Sequence, residues 1–80
     1  MPKVYVENGF RFFFFSNEGI PQEPCHIHVR KGEGLAKIWI DPDVKLADSV
    51  GFTAGELKRI LESVERNKEL IKEAWNEYFN

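Results

Sequence analysis

The sequence predicts an α+β fold, a small and mainly antiparallel sheet of three to four strands with two C-terminal helices packed on one face. Two patterns predict it. β-branched and aromatic segments cut by tight turns fill residues 3–41, and apolar residues at helical spacing fill residues 53–79. Eighty residues allow one domain, spanning 1–80.

Each element has its own signal. Val4-Tyr5-Val6 and the run from Phe10 to Ser16 flank Asn8-Gly9, so segments 3–6 and 10–16 are expected to form a hairpin. Gly19, Pro21 and Pro24 mark a loop over 17–24. His26 to Arg30 alternate as a third strand, and Lys31-Gly32-Glu33-Gly34 turns into a fourth at 35–40. Asp41-Pro42-Asp43 ends it, because proline cannot donate to the ladder. Residues 43–51 carry the weakest pattern, with a short strand at Val44 to Leu46 as the option there.

Thr53-Ala54-Gly55-Glu56 reads as a capping box, with Phe52 and Leu57 at the hydrophobic-staple positions. Leu57, Ile60, Leu61 and Val64 mark one helical face, and Ile71, Ala74, Trp75 and Tyr78 another. Arg66-Asn67-Lys68 interrupts the apolar stripe, and Asn67 is a good N-cap. Helices near 54–65 and 68–79 are therefore expected, with one long helix as the competing arrangement.

Composition narrows the function. A domain this small buries only about 60% of its unfolded surface. An aromatic content of 14% offsets part of that, since each ring buries about 150–250 Å². The net charge is −2, so no global basic excess advertises nucleic-acid binding, and a basic site has to be local. Residues 1–40 carry five Lys/Arg and four Asp/Glu, whereas residues 41–80 carry six and nine. A single cysteine, Cys25, makes no internal disulfide and favours a reducing, cytoplasmic setting. Met1-Pro2-Lys3 runs straight into a strand-like segment, so no signal peptide is expected. The apolar run Phe12 to Phe15 is far short of the ~20 residues that span a bilayer, so no membrane partner is expected.

The two-residue side-chain period assigns the faces. Ile27 and Val29, with Ala36, Ile38 and Ile40, form the face that the helices cover. The opposite face then carries His26, His28, Arg30, Lys37 and Trp39. Arg11 is costly to bury unpaired, which puts Arg11, Phe13 and Phe15 there too.

That face suits nucleic acid, with Arg11, Arg30 and Lys37 holding phosphate and Trp39 stacking on a base. It equally suits packing of its rings beneath the 17–24 loop or a partner subunit. His26 and His28 project side by side and leave three roles open: hydrogen bonding to structure, acid–base catalysis, or metal ligation. Glu18 would orient the pair or act as base. A metal needs a third ligand, and nothing in the spacing chooses among Glu18, Glu23 and Asp41, so no metal or cofactor is assigned. Cys25 alternates to the other face and is not counted with the histidines. Trp75, Tyr78 and Phe79 cap the core and offer a homodimer surface.

Ser16-Asn17-Glu18, Pro24 before His26-Ile27-His28-Val29, Ala36-Lys37-Ile38-Trp39, Gly51-Phe52, Glu56-Leu57 and Ala74-Trp75-Asn76-Glu77 occur in this order. Together they resemble a small prokaryotic family that carries only a domain-of-unknown-function label. The resemblance covers essentially the whole chain. It implies a small protein partner encoded nearby, in an arrangement similar to toxin–antitoxin gene pairs, and establishes no activity. One departure is visible: the family commonly has Pro-Pro before the first histidine, where this chain has Pro24-Cys25. The expected function is a toxin–antitoxin-like component that binds a protein partner through its sheet face. The alternatives are an RNA-binding protein or endoribonuclease using His26 and His28, and a metal-binding protein. Whether the chain is an enzyme stays open at this point.

Overall fold

The computed structural model describes residues 3–16 and 23–79. Strands β1 (Lys3–Glu7), β2 (Phe10–Phe13), β3 (His26–Lys31), β4 (Gly34–Trp39) and β5 (Lys45–Val50) form one antiparallel sheet in chain order. Helices α1 (Ala54–Arg66) and α2 (Lys68–Phe79) follow. The α+β class is as the sequence predicts; the sheet has five strands rather than three to four.

The fifth strand overlaps the short strand offered at Val44 to Leu46 but runs on to Val50, and its full length was hidden for a physical reason. β5 is an edge strand paired only with β4, and it keeps Lys45, Asp48 and Val50 in solvent. Its register shifts so that Lys37 faces Asp48 while Ile38 faces Leu46. The extra residue, Ala47, destroys the two-residue alternation that would have marked a strand.

The β1–β2 hairpin closes as expected, with Asn8 and Gly9 at φ 52° and 82° in the turn. β2 is shorter than expected and ends at Phe13. Beyond it the chain leaves the ladder while keeping the alternation. Phe14 packs on Trp75 and Phe79 with ring centroids 5.3 and 5.7 Å away, whereas Phe15 lies on His28.

Phe10, Phe12, Ile27, Val29, Ala36, Ile38 and Ile40 meet Ile60, Val64, Ile71 and Trp75 in the core. Tyr5 stacks on Phe12 at 4.3 Å. The capping box forms as read: Glu56 N–H donates to Thr53 Oγ1 (3.1 Å), and Thr53 N–H donates to Glu56 Oε1 (2.9 Å). Tyr78 departs from its expected place in the apolar stripe. It is 45% exposed, and Phe79 instead packs on Trp75.

The helices break at Asn67, by a different device from the one expected. Its Nδ2 donates to Ser63 O (2.8 Å), closing α1, while its own carbonyl accepts from Ile71 N–H to start α2. The side chain thus serves the preceding helix. Around it, Tyr5 Oη donates to Ser63 Oγ (3.0 Å), Ser63 Oγ donates to Glu7 Oε1 (3.0 Å), and Arg66 pairs with Glu7. Contacts across almost sixty residues therefore tie β1 to the helix junction.

Gly34 is buried under the Phe52 ring, and a Cβ there would overlap that ring. Phe52 is held in turn against Phe10, with centroids 5.9 Å apart. Gly34→Ala is expected to cost about 1–3 kcal/mol by overpacking. Adding Phe52→Leu should recover part of that loss, because the two sites are coupled. Urea unfolding of the single and double variants measures both, and strict additivity would contradict the contact.

Candidate functional site

Cross-strand partners share a face, so the registers define what the uncovered side of the sheet carries. One row runs Val6, Arg11, Arg30, Leu35, Val50. The next runs Lys3, Phe13, His28, Lys37, Asp48, and the third runs His26, Trp39, Lys45. The fold thus brings Arg11, His26, His28, Arg30, Lys37 and Trp39 onto one face.

Lys3 and Lys45 were missed by sequence reasoning. Strict alternation groups Lys3 with Tyr5, but a register shift between them turns Lys3 to the open face. Lys45 belongs to the strand whose alternation the second bulge hides. Five cations therefore project from this face, against Asp48 in the same rows.

The centre of the face is packed. His26 has no exposed surface and His28 is 7% exposed. His26 Nδ1 lies 3.0 Å from Pro24 O; a carbonyl only accepts, so Nδ1 carries the proton. Its ring meets those of His28, Trp39 and Trp75 with centroids 5.3, 5.3 and 5.0 Å away. Phe15 covers His28 edge-on at 4.4 Å, and Phe13 stacks beside it at 5.9 Å. Phe13 itself is 94% covered, being only 6% exposed.

The rim is charged. Lys37 Nζ sits 4.4 Å above the Trp39 ring and 3.4 Å from Glu23 Oε1. Arg11 stands directly across from Arg30 in the ladder. With Lys3 and Phe13 they line a cavity of about 160 Å³. Among the described residues, none of these three cations has an ion pair.

Glu18, expected beside the histidines, lies outside the described residues. The other two candidate metal ligands are engaged elsewhere, Glu23 with Lys37 and Asp41 with Lys72 at 3.2 Å. Among the described residues no group of three His, Cys, Asp or Glu side chains is placed to hold a metal. No helix is long and apolar enough to cross a membrane.

Cys25 faces away from the histidines into the core, beside a polar cavity shared with Asp41, Lys72 and Asn76. Burial pushes its thiol from 9.0 up to about 12; the charge of Asp41 adds to this and that of Lys72 opposes it. At neutral pH it is a thiol, and so a poor nucleophile.

Residues 9–76 match a family described as a domain of unknown function, DUF4160. The chain belongs to that family. No curated protein and no solved structure matches it.

The raised Cys25 value has a consequence for stability. Above pH 9 the unfolded thiol ionises and the folded one does not, so the unfolded state holds fewer protons and stability falls as pH rises. The decline should run from about pH 9 toward pH 12. Denaturant titrations across that range should show it shrinking in Cys25→Ala. An unchanged slope would contradict the burial of a neutral thiol.

Proposed function

We propose that this DUF4160 member is a non-catalytic binding module, one half of a small cytoplasmic toxin–antitoxin-like pair, and that its sheet face receives a protein partner. The observation that carries this reading is a cationic rim set around a floor of rings that already pack on one another. A sheet that binds single-stranded RNA by stacking presents open ring faces to the bases. Here Phe13 is buried, Phe15 is turned onto His28, and one face of Trp39 is occupied by Lys37. What the rim offers outward is positive charge with apolar shoulders, which suits an acidic protein surface.

The histidines favour the same reading. An acid or base must come within hydrogen-bond reach of a substrate atom. His26 has its Nδ1 on the Pro24 carbonyl and no accessible surface, and His28 is nearly as covered. Both rings serve here as scaffold for Phe13, Phe15 and Trp39. Cys25, single and protonated, agrees with a reducing setting.

Co-expression with the adjacent reading frame tests the proposal. The two products should co-purify as a stoichiometric complex. Lys37→Glu with Lys45→Glu should weaken it, and Lys58→Glu with Arg59→Glu on α1 should not. Separate monomers in every sample would overturn the module reading. RNA incubated with the native chain and with His28→Ala should be cut at one background rate; cleavage lost in His28→Ala would restore the endoribonuclease alternative.

A further inference from the structure

We propose that Lys3, Arg11 and Arg30 form a carboxylate-binding pocket that anchors an acidic side chain of the protein partner. The proposal rests on the binding-module reading above. Its origin is the placement of Arg11 directly opposite Arg30. Like charges facing each other across a ladder destabilise a sheet, and Lys3 adds a third cation at the same cavity. Lys37, on the same face, has Glu23 beside it. Among the described residues these three cations have no carboxylate of their own.

An oxyanion between the two guanidinium groups turns the repulsion into two charge-assisted contacts, and arginine's planar fork matches a carboxylate. The cavity, at about 160 Å³, is smaller than the roughly 300–1,000 Å³ of sites that enclose a whole small molecule. It takes a single group on a larger partner.

The rest of the row describes that partner. Arg11 and Arg30 lie between Val6, 50% exposed, and the pair formed by Leu35 and Val50, the latter 65% exposed. Neighbouring strands are about 4.8 Å apart. Side chains at i and i+4 on a helix are separated by about 5–6 Å. A helix laid across the strands, with one or two glutamates flanked by apolar residues, therefore matches the central positions of the row, Arg11 and Arg30 with an apolar neighbour.

The probes are a capped helical peptide with two glutamates at i and i+4 between leucines, the same peptide with glutamine in their place, and poly(U). The native chain should bind the glutamate peptide about tenfold tighter than the glutamine one at low salt. Arg11→Gln with Arg30→Gln should abolish that preference, and Lys58→Gln with Arg59→Gln should keep it. The arginine double variant should melt no lower than the native chain, because it relieves a repulsion. Equal affinity for both peptides, a preference that survives the double variant, or tighter binding of poly(U) than of the glutamate peptide would overturn the pocket. The complex with the adjacent gene product separates the two claims. If it forms equally with the double variant, the pocket fails and the module stands. If no complex forms while the glutamate preference tracks Arg11 and Arg30, the pocket stands and the module reading fails.

Discussion

Phe12, Ile27, Val29, Ile38 and Ile40 keep no exposed surface, and two short helices pack over them. Since side chains alternate along a strand, burying this set sends every neighbour to the opposite side. A slip of one residue in β3 or β4 would drive Arg30 or Lys37 under the helices, at a cost that a domain of this size cannot absorb. The open face is thus a consequence of the core: its cations, histidines and rings are where they are because the aliphatic set is where it is. The hydrogen-bonded group around Ser63 and Asn67 holds β1 to the helix junction, so even the edge strand that carries Lys3 has a fixed position.

Where alternation is unbroken, both the fold and the candidate face were legible in the sequence. His26, His28, Arg30, Lys37 and Trp39 fall on one side by the alternation of their strands, Arg11 joins them through the cost of burying it unpaired, and the break at residue 67 was visible as polar residues interrupting an apolar stripe. The misses have two physical sources. Lys3 and Lys45 sit next to register shifts, and a shift of one residue inverts the parity argument for everything beyond it. The second source is distance along the chain. No local pattern reports that Glu7 and Tyr5 meet Ser63, Arg66 and Asn67, or that Trp75 reaches the ring of His26. Asn67 shows how a local signal misleads: asparagine before a helix suggests an N-cap, yet a carbonyl left open by the preceding turn offers its side chain a partner at 2.8 Å.

The same long-range contacts change what the His-x-His pair means. Two imidazoles side by side on a strand suggest chemistry while they are pictured in solvent. Enclosed by Phe13, Phe15, Trp39 and Trp75, they become a means of joining the floor of the open face to helix α2. Trp75 touches both Phe14 on the core side and His26 at the sheet end. The floor of the open face and the core below it thus share one side chain, that of Trp75.

Net charge then has to be reconsidered. A total of −2 argues against an anionic partner only if that partner senses the whole molecule. At physiological salt an exposed charge is screened beyond about 8 Å. The molecule measures 34 × 22 × 20 Å, and Glu62, Glu65, Glu69, Glu73 and Glu77 lie exposed on the helices, across the sheet from Arg11 and Arg30. Most of these acids belong to the far side of the sheet; Glu77 is the exception, since it lines a cavity together with Lys3. A group seated between Arg11 and Arg30 therefore meets their local field first, while Glu77 tempers that of Lys3. The charge that excludes a globally basic binder thus leaves a face-sized cationic site intact.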